Sequence, residues 1–95
     1  MNKIHKFFKH RNGNFYYVLG LSMHTETTQK LVNYISLYDT PDYKFGTTWS
    51  RPLEMWDQVV ENNPRFVEVQ PSEELKNKTY SYLRTSYYDE YVDKV

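Results

Sequence analysis

The dipeptide Asn12-Gly13 restricts the fold of this chain more than any other pair of residues. Both positions tolerate a positive φ angle, and Asn-Gly between two apolar runs is a strong signal for a β-hairpin. A short aromatic run at residues 4–9 precedes the dipeptide, and a longer apolar run from Phe15 to about Met23 follows it. The sequence therefore predicts two antiparallel strands joined at this turn.

The second of these strands is apolar on both faces. Successive side chains of a strand point to opposite sides, and the two sets here are Phe15, Tyr17, Leu19 and Leu21 against Tyr16, Val18 and Gly20. Such a strand is central in a sheet or covered on both sides. Gly20 indicates a bulge or sharp bend, which a small barrel requires.

Further strand signals follow at short intervals. A polar turn at residues 24–28 is followed by a strand at 31–38, a loop at 39–46 and a short strand at 47–50. One helical turn after Pro52, an extended segment at 58–60 and a turn at 61–64 lead to the last strand at 65–69. Five short strands predict a mainly β fold. We expect residues 1–70 to form a small SH3-like five-stranded barrel.

The pattern changes after Pro71. Ser72 is a suitable helix N-cap, and acidic residues follow it in the first turn, where negative charge suits the helix dipole. Side chains then recur at three- and four-residue spacing, namely Leu75, Thr79, Tyr82, Leu83, Ser86, Tyr87 and Tyr91. We predict an amphipathic α-helix over residues 73–92, in a C-terminal extension (71–95) that packs on the barrel or on a partner.

Composition excludes several classes of protein. Twelve basic residues balance twelve acidic ones, which argues against nucleic acid as a partner because phosphate binding needs uncompensated positive charge. The chain has no cysteine, so disulfides, thiolate zinc sites and cysteine nucleophiles are excluded. The three histidines lack zinc-ligand spacing, and no metal or cofactor is predicted. No apolar run is long enough for a signal peptide or a membrane span, so we expect a cytoplasmic protein without a membrane partner.

Six short motifs follow one another along residues 5–69. They are Phe15–Gly20, His24–Thr27, Leu31–Tyr34, Leu37–Tyr38, Trp49–Trp56 and Pro64–Phe66. In order and spacing they resemble the small bacterial and phage family called domain of unknown function 1653. The family pattern has a serine where Thr25 stands, and the loop at 39–46 is longer here. The resemblance implies a compact β-rich domain and supplies no activity.

Residues 49–56 (WSRPLEMW) hold both tryptophans of the chain, one arginine and one carboxylate. Arg51 between aromatic residues is well suited to a phosphate or carboxylate, because its planar group donates two hydrogen bonds and stacks on rings. Trp49 is suited to stacking on a nucleobase. The alternatives are that Arg51 pairs with Glu54 or Glu26 and that Trp49 belongs to the core.

Further candidates lie on neighbouring segments. If the barrel brings the turn after the second strand to Arg51, His24 and Glu26 lie beside it. Glu26 would then orient the imidazole as an acid–base pair, although a hydrogen-bonded turn is the alternative and no nucleophile accompanies them. Tyrosines with a stacking face and a hydroxyl would line the pocket wall, and these are Tyr34, Tyr38 and Tyr43.

These features predict a non-enzymatic module that binds a small anionic ligand, foremost a nucleotide or a nucleotide-derived signal. The absence of alanine and the abundance of Asn, Lys and Tyr are typical of an AT-rich genome, such as that of a phage that sequesters a host signal. The first alternative is a protein-interaction or self-association module that uses the tyrosine-rich C-terminal helix, which would make the protein a homo-oligomer. The second is single-stranded nucleic-acid binding through the basic N-terminal strand.

Overall fold

The computed structural model describes residues 2–87, which form one antiparallel sheet, a small hairpin and a C-terminal helix. The elements in chain order are β1 (Phe7–His10), β2 (Phe15–Met23), β3 (Lys30–Ser36), β4 (Thr48–Pro52), α1 (Leu53–Trp56), β5 (Val59–Val60), β6 (Asn63–Pro64), β7 (Phe66–Val69) and α2 (Glu73–Tyr82), which a π-helical segment (Leu83–Tyr87) continues. The sheet has the order β4-β3-β2-β1-β7, and β5 pairs with β6. The predicted mainly β fold with five strands and a C-terminal helix is confirmed.

The first hairpin forms at Asn12-Gly13, as predicted. Gly13 takes a φ angle of 97°, and the His10 N–H donates to the Asn14 carbonyl at 2.8 Å. The loop therefore holds three residues with glycine in the left-handed conformation, one more than the two-residue turn that the dipeptide favours. The predicted irregularity at Gly20 is also confirmed, because the register of β2 against β3 shifts between Val18 and Gly20.

Some strand ends differ from the predictions. The first strand is shorter at its start because His5 has a φ angle of 61°, which an extended strand does not accept. The third strand ends at Ser36, and the fourth begins at Thr48 and continues to Pro52.

The sheet is open and curled, and backbone hydrogen bonds within residues 2–87 do not close it into the predicted barrel. Strands β4 and β7 are its two edges, and a flat sheet would hold them about 19 Å apart. Nevertheless the Arg51 guanidinium on β4 lies 5.5 Å from the ring centroid of Phe66 on β7. Trp56 from α1 stacks on the same Phe66 ring at 3.7 Å. Side chains therefore bridge the two edges.

The curl gives the sheet an inner face and an outer face, each with its own apolar cluster. The inner cluster contains Phe8, Tyr16, Val18, Val32, Tyr34, Trp56 and Phe66. The outer cluster contains Phe7, Tyr17, Ile35 and Leu37, and the side chains of α2 and its π-helical end that pack against it are Leu75, Tyr80, Tyr82 and Leu83. Both faces of β2 are thus covered, as its apolar pattern predicts.

Helix α2 begins as predicted, since the Ser72 hydroxyl accepts a hydrogen bond from the Leu75 N–H at 3.2 Å. The part of the predicted helix at residues 88–92, including Tyr91, lies outside the described residues. Within residues 2–87 no helix is long and apolar enough to cross a membrane.

Candidate functional site

Arg51 occupies the inner face of the sheet at the edge strand β4. Strand register pairs Arg51 with Val32 and Trp49 with Tyr34, so all four side chains share this face. The Arg51 Nε donates to the Tyr34 hydroxyl at 3.4 Å, and the guanidinium lies over the ring of Phe66. Arg51 itself is half-buried. The fold therefore fixes this cation between two aromatic side chains.

No carboxylate in the described part of the chain lies within salt-bridge distance of Arg51. The ion pairs found there join Lys3 to Asp57 and Lys6 to Glu68. Glu54, one of the two glutamates expected to pair with Arg51, instead accepts a hydrogen bond from the Gln29 amide at 3.3 Å. The positive charge of Arg51 is therefore held by a hydroxyl and a ring, neither of which neutralises it.

A second basic side chain, that of His10, lies against the same Phe66 ring as Arg51. The ring of His10 contacts Phe66 edge-on at 4.9 Å. Burial lowers the pKa of His10, and the positive charges of Arg65, Arg51 and Arg11 lower it further against a hydrogen bond that raises it. His10 is consequently neutral at pH 7, and the three arginines supply the positive potential of this end of the sheet.

Arg65 has unused hydrogen-bonding capacity at the same end. Its Nη2 donates to the Gln58 side chain at 2.6 Å. Its Nε is buried and has no hydrogen-bond partner among the described residues. A buried donor without an acceptor is costly, so an acceptor at this position would stabilise it.

Two tyrosines continue the inner face beside Tyr34. The hydroxyls of Tyr16 and Tyr38 are 2.7 Å apart. Burial, together with this hydrogen bond, raises the pKa of Tyr16 above its ordinary value. Tyr16 therefore stays protonated and acts as a neutral hydrogen-bonding group rather than as a base or nucleophile.

Trp49 forms the solvent-facing edge of the inner cluster. Its indole Nε1 donates to the Ser36 hydroxyl at 3.2 Å. The ring of Tyr43 packs edge-on against it at 4.8 Å, and Tyr43 is 52% exposed. Trp49 is partly buried against the inner cluster, so it serves both the core and the surface.

His24 and Glu26 lie apart from Arg51. The Nδ1 of His24 accepts the backbone N–H groups of Glu26 and Thr27 at 3.2 and 3.3 Å, which is the hydrogen-bonded turn considered as the alternative. His24 pairs with Gln29, which lies three residues before Val32, the partner of Arg51. This offset and the two strand spacings between β2 and β4 place the Cα atoms of His24 and Arg51 about 14 Å apart. The structure therefore does not bring this pair to the cluster.

The sequence predictions omit three residues at this end of the inner face, namely His10, Arg65 and Tyr16. Tyr16 and Arg65 belong to predicted strands and to the motifs of the family resemblance, neither of which gives them a role in a site. Their common signal is adjacency to aromatic positions of β1, β2 and β7, which becomes informative once the strand order is known. No group of three or more potential metal ligands occurs within residues 2–87.

Comparisons with known proteins agree with this architecture. The model of a family described as a protein of unknown function (DUF1653) matches residues 6–68. The chain is similar to a crystal structure of a DUF1653 protein from Bordetella bronchiseptica, with 28% identity, a TM-score of 0.59 and coverage of 70% of this chain and 91% of that one. A comparison with curated proteins gives no match. The family region, residues 6–68, includes Arg11, Arg51 and Arg65 and ends before α2.

Proposed function

This chain belongs to the DUF1653 family of proteins of unknown function, and we propose that it is a non-enzymatic module that binds a small anionic ligand on the inner face of its sheet. One observation carries the proposal: Arg51 is half-buried between Tyr34 and Phe66 with no carboxylate in reach among residues 2–87. A partly desolvated cation without a counter-ion is stabilised by a ligand that brings negative charge.

A nucleotide or a nucleotide-derived signal matches the remaining features. The positive charges of Arg51, Arg65 and Arg11 all act on His10 beside the Phe66 ring, and positive potential at this end of the sheet favours a phosphate group. Trp49 and the exposed Tyr43 offer aromatic surface for a base at the edge of the same face. We propose binding without catalysis, because the Nδ1 of His24 already accepts the backbone N–H groups of Glu26 and Thr27 and so does not donate to the Glu26 carboxylate.

The biological setting is part of the same proposal. Residue usage typical of an AT-rich genome supports a phage protein that sequesters a host nucleotide signal in the cytoplasm. Detection of such a nucleotide in protein purified from infected cells would support this role, and purification of a nucleotide-free protein from the same cells would argue against it.

Self-association through the C-terminal helix is the alternative function. The described apolar side chains of α2 pack on the outer face of the sheet, which leaves this alternative with less support. Measurement of the oligomeric state of the full chain tests this alternative, because a monomer at high protein concentration would exclude the helix as an interface. Nucleic-acid binding is the third proposal, and the absence of a salt-dependent signal with labelled oligonucleotides would exclude it.

Thermal unfolding with a panel of nucleotides tests the first proposal. A ligand at 100 times its Kd stabilises the fold by about 2.7 kcal/mol, which raises the Tm of a domain of this size by about 10–20 °C. We expect the shift to be lost in Arg51→Gln and kept in Arg84→Gln, a control at an exposed arginine of the C-terminal helical segment. No shift of the wild-type protein with any nucleotide would contradict the proposal.

A further inference from the structure

The end of α2 contacts the loop that joins β3 to β4. The Tyr82 hydroxyl donates to the Gly46 carbonyl at 3.0 Å. Gly46 has a φ angle of 91°, and a Cβ atom added there would overlap the ring of Tyr82. The ring thus lies directly against the backbone of Gly46, and this close approach requires glycine.

Other bonds hold the same loop in one conformation. The Lys78 ammonium lies 4.6 Å from the ring centroid of Phe45, which adds a second contact from α2 to the loop. The Gly46 N–H donates to the Ser36 carbonyl at 2.8 Å, and the Phe45 N–H donates to the Asp39 carboxylate at 2.8 Å. The second half of the loop is therefore fixed between the end of β3 and α2.

The first half of the loop carries Tyr43 to the proposed binding site. The Thr40 N–H donates to the Tyr43 carbonyl at 2.7 Å, and the Tyr43 N–H donates back to the Thr40 hydroxyl at 2.9 Å. This turn places the Tyr43 ring against Trp49 at 4.8 Å. A continuous set of contacts thus links Tyr82 on α2, through Gly46, to the aromatic edge of the site.

We propose that Tyr82 is a positioning residue for the binding site: it holds the loop at Gly46, so that Tyr43 stays on Trp49 and completes the surface for the base of a nucleotide. The inference rests on the proposed function, and it adds that base recognition depends on α2, which lies beyond the family region at residues 6–68. None of these loop contacts involves Arg51, so binding of the phosphate group does not depend on the loop.

The test compares Tyr82→Ala and Tyr82→Phe with Leu75→Ala. Leu75 packs on the outer cluster from the first turn of α2, about 10 Å along the helix from Tyr82, so its truncation weakens the helix without touching Gly46. The readouts are the NMR resonance of the Trp49 indole N–H, assigned with Trp49→Phe, and the affinities for adenosine monophosphate and for inorganic phosphate.

We expect Tyr82→Ala to move the Trp49 resonance in the same direction as Tyr43→Ala and to weaken adenosine monophosphate binding by about fivefold or more, fivefold being the lower end of the loss for one stacked base. Inorganic phosphate should bind unchanged. Tyr82→Phe keeps the ring and should show a smaller effect, and Leu75→Ala should leave the resonance in place.

An unmoved Trp49 resonance in Tyr82→Ala, or an equal movement in Leu75→Ala, would overturn the inference. If the wild-type protein binds neither probe, the proposed function fails for these ligands. The Trp49 resonance of the unliganded variants still decides whether Tyr82 positions the loop.

Discussion

Substitution of Gly46 by alanine tests the contact between α2 and the loop most sharply, because the chain contains a matched control. Gly46 and Gly13 have similar φ angles, 91° and 97°. A Cβ atom at Gly46 would overlap the Tyr82 ring, whereas a Cβ atom at Gly13 would meet nothing within 4 Å. The two alanine variants therefore share the backbone strain and differ in the overlap.

The expected magnitudes follow from these two terms. Alanine at a left-handed position lowers the free energy of unfolding by about 1–2 kcal/mol in both variants. The less flexible unfolded chain offsets the same part of this loss in both. The overlap at Gly46 adds about 1–3 kcal/mol, the usual cost of overpacking. Gly46→Ala should therefore melt about 10 °C below Gly13→Ala.

Urea unfolding and thermal melts of both variants, alone and combined with Tyr82→Ala, measure the difference. In the Tyr82→Ala background the ring is gone, so Gly46→Ala should cost no more than Gly13→Ala. Equal stability of Gly46→Ala and Gly13→Ala with Tyr82 present would refute the close approach of ring and backbone.

Two further predictions concern single side chains. The raised pKa of Tyr16 means that the folded state holds the phenol proton more tightly than the unfolded state, so the stability gained from this proton is complete below about pH 10 and is lost as the pH rises above that value. Relative to Tyr16→Phe, urea unfolding above about pH 10 should show the stability of the wild-type protein falling by up to about 1.4 kcal/mol per pH unit. Parallel pH profiles of the two proteins would contradict this prediction. Ser72→Ala should cost about 1 kcal/mol in urea unfolding because it removes the N-cap of α2, while Ser72→Asp should retain most of that stability; an unaffected Ser72→Ala would show that the cap contributes nothing.

Local features of the sequence predicted the local structure well. The Asn12-Gly13 turn, the irregularity at Gly20 and the N-cap at Ser72 each depend on residues within a few positions of one another. The strand ends were predicted less accurately, because the start of β1 depends on the positive φ angle of His5 and on contacts with residues far along the chain. One such contact is the ion pair of the buried Lys3 with Asp57.

The candidate site was predicted in part because it depends on strand order. Alternation along β3 and β4 places Tyr34, Trp49 and Arg51 on one face, as the pattern of each strand indicates. The contact of Arg51 with Phe66 exists because β7 pairs with β1 and the sheet curls, and no local pattern encodes either property. The approach of His24 to Arg51 was inferred from a small barrel, and it does not occur in this open sheet.

The central claim is that Arg51 binds the anionic group of a small ligand. Calorimetric titration of the nucleotide that gives the largest thermal shift, beside its uncharged nucleoside, tests this claim most directly. We expect the wild-type protein to bind the nucleotide at least tenfold more tightly than the nucleoside, and Arg51→Gln to bind both equally weakly, because one charge-assisted contact contributes about 1.5–3 kcal/mol. Equal nucleotide affinity of Arg51→Gln and the wild-type protein would contradict the account.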